Sequence, residues 1–167
     1  MDKLILTIWL ILSVCSAWAD EDDGGMFRQG RKQFSLTSSN GHAFNSNYFV
    51  IGVSVGYFVE DGLGLGFSYE NWSGGNRSIT KFSPYAQYVF TDVSSFQPYV
   101  GGFYRHTAVS GLPDINSVGG RVGFYFSSGQ NASVSVGMVY ESYLNCQESL
   151  YSSCRQSYPD VGVTLGF

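Results

Sequence analysis

His106 is the residue from which an enzyme reading of this chain would start. It sits in FQPYVGGFYRHT, late in a run that alternates apolar and small residues. A hydrolase or acyltransferase needs a nucleophile, a base and an orienting acid within hydrogen-bond reach. Ala108 takes the next position on the face of His106, and no carboxylate shares that face on the neighbouring runs. The other histidine, His42, lies in the polar stretch NGHAFN. No phosphate-binding loop and no metal-ligand spacing is present. The expectation is therefore a protein that is not an enzyme and needs no cofactor or metal.

Cysteine chemistry depends on where the chain works. MDKLILTIWLILSVCSAWA has an early Lys3, an apolar run from Leu4 to Val14, and an Ala17-Trp18-Ala19 cleavage pattern. That is the layout of a secretory signal peptide over residues 1–19, too short in its apolar part to serve as a membrane anchor. The acidic DEDDGG that follows opens a flexible leader over residues 20–27. Export removes Cys15 and leaves Cys146 and Cys154 in one polar stretch, NCQESLYSSCR, in an oxidising compartment. Two such cysteines read as a local disulfide.

Five charges remain to be placed: Glu70, Lys81, Arg105, Arg121 and Glu141. Placing them requires the elements that carry them. No helical period occurs in the chain, whereas a two-residue alternation recurs throughout. It predicts strands near 28–39, 48–59, 63–70, 79–90, 96–107, 117–126, 132–143 and 157–167. With no helix between them, the order is up-and-down and antiparallel. The connections EDG, TDVSS and SSGQN read as short turns. NGHAFNSN, SGGNR, AVSGLPDIN and LNCQESLYSSCRQ read as mostly longer loops at the opposite end. Short turns at one end and longer loops at the other suit a transmembrane β-barrel with its turns in the periplasm.

Face composition decides between a soluble and a membrane barrel. In the sixth run Val118, Val122, Phe124 and Phe126 oppose Gly119, Arg121, Gly123 and Tyr125. In the seventh, Val134, Val136, Met138 and Tyr140 oppose Ser133, Ser135, Gly137 and Glu141. Glycines and serines make a poor soluble core, but they fit the narrow interior of a barrel whose apolar face meets lipid. Only 13% of residues are charged, while 44% are hydrophobic and 17% aromatic. A net charge of −4 offers no footprint for nucleic acid. All five placed charges fall on the small-residue face, where an unpaired ion is costly, so they predict an interior ion-pair network. Eight strands leave room only for side chains, so the expected interior is plugged, with a gated ion path along the charges as the alternative.

Over residues 28–167 the chain resembles the small outer-membrane β-barrel proteins of Gram-negative bacteria, of the OmpA/OmpX-like kind. The segments YFVEDGLGLGFSYE, SPYAQYVF and QPYVGGFYR carry the likeness, together with the closing YPDVGVTLGF. There, Asp160, Gly162, Leu165 and Phe167 are similar to the signal read by the barrel-assembly machinery. The resemblance implies an eight-stranded antiparallel up-and-down transmembrane barrel in the outer membrane. Its implied partners are outer-membrane lipid, lipopolysaccharide and the assembly machinery. It implies a monomer, with any surface ligand held by the outward loops. No peptidoglycan-binding domain is expected. The family includes structural barrels and adhesins, so the resemblance fixes no activity. A small gated pore is the runner-up; a lipid-modifying enzyme resting on His106 comes third.

Overall fold

In a computed structural model, residues 25–43, 46–92, 96–127, 131–144, 146 and 153–167 are described. The expected signal peptide lies outside them. Eight strands close into one antiparallel barrel in sequence order: β1 (Lys32–Ala43), β2 (Ser46–Glu60), β3 (Leu63–Ser73), β4 (Ile79–Val89), β5 (Gln97–Val109), β6 (Ile115–Ser127), β7 (Ala132–Tyr143) and β8 (Arg155–Gly166). The expected fold class holds. Closure satisfies the backbone between neighbouring strands, which is what a chain in hydrocarbon requires.

The strands alternate as their sequence demands. On β2, Phe49, Ile51, Val53, Val55 and Tyr57 are exposed, while Tyr48, Val50 and Phe58 are buried. The same rule runs around the barrel and leaves a continuous apolar exterior. Valines such as Val53, Val100, Val122 and Val161 hold its middle. Tyr57, Tyr88, Phe90, Phe126 and Phe167 ring the end that carries Phe27 and the C-terminus, here called the terminal end, and Phe49, Tyr69, Phe82, Tyr104 and Tyr140 ring the other. An apolar band between two aromatic girdles is the signature of a lipid-facing barrel wall.

Inside, bulky rings lie against glycines of neighbouring strands. A Cβ at Gly66 would strike the Val55 carbonyl and the Tyr85 ring, and one at Gly119 would strike the Phe103 ring. The small residues are thus the floor on which lumenal aromatics rest. Gly62 has a different reason. Its φ of 78° shapes the turn between β2 and β3, and its backbone is held by Phe27 O and Val89 N, each at 2.8 Å.

Three expectations about boundaries need correction. First, β1 starts and ends four residues later than the alternation suggested, because residues 28–31 form a turn and the β1–β2 ladder runs on to Ala43↔Ser46. Most of NGHAFNSN is therefore strand, and only residues 44–45 connect. Second, the contrast in connection length is weaker than expected. One end has connections 44–45, 74–78, 110–114 and 144–154; the terminal end has 61–62, 90–96 and 128–131. Only 144–154 is long, since pairing consumed the polar ends of the other loops. Third, the leader does not extend to residue 27: Met26 and Phe27 are buried in the barrel mouth, driven there by their apolar side chains.

The seam between β1 and β8 is the least paired. Its ladder runs from Gln33↔Gly166 to Ser39↔Asp160 and stops, although both strands continue toward the loop end. Pro159 comes next on β8 and has no amide hydrogen to donate. Side chains bridge the splayed portion instead. Ser39 Oγ donates to Pro159 O at 2.7 Å, and Gln156 Nε2 donates to His42 O at 2.7 Å.

Candidate functional site

The lumen is filled in layers. At the terminal end Phe27 stands 5.7 Å from Phe58 and 4.9 Å from Tyr125, ring centre to ring centre, with Met26, Val89 and Tyr99 around it. Above this apolar stopper lies a ring of amides and hydroxyls. Gln33 Nε2 donates to Tyr85 Oη at 2.8 Å, Gln87 Nε2 to Gln33 Oε1 at 3.3 Å, and the Ser35 and Thr164 hydroxyls share a 2.8 Å bond.

Arg105 on β5 is the hub of the next layer. Its Nε donates to Ser83 Oγ at 2.7 Å, Nη1 to Tyr158 Oη at 2.7 Å and to Glu141 Oε2 at 3.0 Å, and Nη2 to Glu70 Oε1 at 2.5 Å. The guanidinium also lies 4.3 Å from the Phe103 ring centre. Lys81 Nζ donates to Glu141 Oε2 at 2.8 Å and to Tyr143 Oη at 3.2 Å, and sits 4.1 Å over the Trp72 ring. Every oxygen of the two carboxylates is engaged. Glu70 Oε2 accepts from Trp72 Nε1 at 3.1 Å, and Glu141 Oε1 from Ser117 Oγ at 2.5 Å. Two cations and two anions balance, with Arg105, Lys81 and Glu141 almost wholly removed from solvent.

Four of the five expected network charges thus meet. Arg121 does not join them. The ladder pairs Arg105 with Ser117, and Arg121 lies four residues further along β6, roughly 13 Å toward the terminal end. There it faces the Tyr85 and Phe103 rings at 5.4 and 5.9 Å. With Asp160 and Glu70 it lines a void of about 20 Å³, room for one water. Asp160, expected as part of an assembly signal, is a buried lumenal carboxylate beside Gly162, whereas Phe167 faces outward and is half exposed. Leu165 pairs with Phe34 across the seam. The partners that sequence reasoning missed are Ser83, Ser117, Tyr143, Tyr158 and Trp72. Parity along each strand could have placed them inside, but their mutual levels depend on the stagger of the closed sheet.

On the outside, His106 proves to have an acid after all. Its Nε2 lies 3.3 Å from Asp114 Oδ2, supplied by the 110–114 connection, and its Nδ1 donates to Asn116 Oδ1 at 2.9 Å. Both nitrogens are engaged, and neither is turned toward a hydroxyl among the described residues. At the loop end Cys146 and Cys154 are bonded, with Cα atoms 5.6 Å apart, as their spacing suggested.

The geometry can be set beside known proteins. No family model matches the chain, and no curated protein sequence matches it. Solved structures do. The N-terminal β-barrel domain of OprF from Pseudomonas aeruginosa superposes with a TM-score of 0.65 at 18% identity, covering 83% of this chain and 98% of that domain. The fold is that of the small outer-membrane barrels. Neisserial surface protein A follows with a TM-score of 0.62 at 16% identity, over 82% of this chain and 96% of that one. The outer membrane protein OprG of Pseudomonas aeruginosa has a TM-score of 0.52 at 16% identity, over 87% and 99%. These identities speak to fold. The apolar exterior is the independent reason to place the barrel in a membrane.

Proposed function

We propose that this chain is an integral outer-membrane barrel, monomeric and non-enzymatic, with a closed lumen and an outward role at its loop end. The observation that carries closure is the satisfied, charge-balanced cluster around Arg105, packed between the Phe27 stopper and the loop end. An ion entering would have to displace bonds made inside a low-dielectric interior, where unmaking one side of a pair is costly. Planar-bilayer recording tests this. The expected result is an unchanged baseline; a steady, reproducible conductance would establish the pore reading instead.

The outward role rests on two connections at the loop end. One carries the Cys146–Cys154 disulfide, the other Leu112 and Asp114. Binding residues concentrate on loops held by a rigid scaffold, and one structural neighbour is named a surface protein. Lipopolysaccharide beside the outer girdle and a surface ligand on the loops are the partners of this reading. Deleting the gene and measuring adhesion, serum survival and permeability tests it; three unchanged phenotypes would remove the surface role. The proposed assembly signal of Asp160, Gly162, Leu165 and Phe167 has its own test. Phe167→Ser should lower outer-membrane levels in cells while leaving refolding into lipid vesicles intact.

A further inference from the structure

At the loop end the lumen opens into a cavity of about 350 Å³. Specific ligand sites run from roughly 300 to 1,000 Å³, so this one suits a small occupant. Its wall is apolar, from Trp72, Ile79, Val109 and Ile115. Polar groups mark the floor and rim: Lys81, the Thr107 hydroxyl and Arg155. Thr107 is 2% exposed, and its Oγ1 has no hydrogen-bond partner among the described residues. Rotation about its Cα–Cβ bond would turn this unpaired hydroxyl toward a ligand acceptor in the cavity.

We infer that this cavity binds a small monocarboxylate with an apolar body. The cluster beneath it is already neutral, since Glu70 and Glu141 balance Arg105 and Lys81. Arg155 at the rim therefore adds a positive charge, and among the described residues no carboxylate lines the cavity. Acceptor oxygens match Arg155 and the Thr107 hydroxyl, and the apolar body matches the wall. The route in is the splayed β1–β8 seam, where His42 and Ala43 on one side and Arg155 and Gln156 on the other border the same cavity and entry parts the Gln156–His42 bond. On the outside of that seam, Ser38, Asn40 and Ser157 replace the apolar belt. The gap thus faces the headgroup region, where an amphiphile already concentrates.

Trp72 provides the assay. The chain has 3 tryptophans, and the other two, Trp9 and Trp18, fall in the segment expected to be cleaved. Trp72 is 1% exposed and faces the lumen, beyond the reach of lipid outside. Bromo-octanoate titrated into vesicles carrying the refolded barrel should quench Trp72 saturably, and unbrominated octanoate should reverse it. Brominated phosphatidylcholine in the bilayer should leave the emission unchanged. Ile115→Phe, which narrows the cavity, should abolish saturable quenching. Arg155→Gln, at an exposed position, should raise the half-quenching concentration of bromo-octanoate roughly tenfold and leave that of bromo-octanol unmoved. Absence of saturation, equal quenching by the brominated phospholipid, or an equal shift for acid and alcohol in Arg155→Gln would each overturn the site. The inference rests on the barrel spanning a membrane, but not on the proposed surface partner. Heat-modifiable gel migration of the same samples reports the barrel separately from the ligand.

Discussion

Arg105 on β5 and Glu141 on β7 meet at 3.0 Å across the lumen, with β6 between their strands. The contact is possible because Ser117, the β6 partner of Arg105, is small, and its hydroxyl itself donates to Glu141. A larger side chain at that position would part the pair. Arg105 therefore ties its own strand to four others, through Ser83, Glu70, Glu141 and Tyr158.

Removing that hub should be expensive. Arg105→Met would leave Glu70 with Trp72 alone and Glu141 with Lys81 and Ser117, both carboxylates short of positive charge. The expected loss is about 3–5 kcal/mol in urea unfolding from lipid vesicles. Lys81→Met should cost less, since Glu141 keeps Arg105 and Ser117. If both variants lose the same amount, Arg105 is not the organising residue.

The two ends of the plug should be separable. Phe27→Ala empties the stopper between Phe58 and Tyr125 and should cost about 3–5 kcal/mol by cavity formation. The barrel should nonetheless remain non-conducting, because the Arg105 layer closes the lumen independently. A pore opened by Phe27→Ala alone would mean that the polar layers leak.

Much of this architecture was legible in the sequence, for a physical reason. A strand's two faces meet different solvents, so Val118, Val122 and Phe124 could be assigned to lipid, and Arg105, Glu70 and Glu141 to the lumen, from spacing alone. Parity says nothing about height. Arg121 shares the lumenal parity of the others, yet the stagger of the closed sheet sets it lower, bonded to neither Glu70 nor Glu141 and facing the Tyr85 and Phe103 rings. Asp114 was missed because it belongs to a connection, where alternation carries no information. Met26 and Phe27 were absorbed into an acidic leader, although two apolar residues after DEDDGG were themselves a sign of burial.

Glycines inside the lumen should differ in tolerance according to what covers them. At Gly66 a Cβ would meet the Val55 backbone carbonyl as well as the Tyr85 ring, and neither the ladder nor the ring can easily withdraw. At Gly56 it would meet Gln33 Nε2 at 2.7 Å and Tyr85 Oη at 2.8 Å, both ends of longer side chains. Gly66→Ala should therefore cost about 3 kcal/mol and Gly56→Ala about 1 kcal/mol, the two ends of the usual overpacking range. Vesicle unfolding curves of the pair check the ranking, and a reversed order would contradict the packing described.

The strongest test of the membrane reading compares one residue type on the two faces of one strand. Arg121 is native on β6 and points into the lumen; Val122, its neighbour, is 55% exposed in the middle of the belt. Val122→Arg should cost about 2–4 kcal/mol, the range for a cation at the bilayer midplane, while Phe126→Arg at the terminal girdle should cost about 0–1 kcal/mol for its charge. The gradient follows from depth alone, since both side chains leave the same face. In a water-exposed wall the two arginines would be equally harmless. Equal, small losses in vesicle unfolding would therefore refute a hydrocarbon environment around Val122, whatever the barrel's shape.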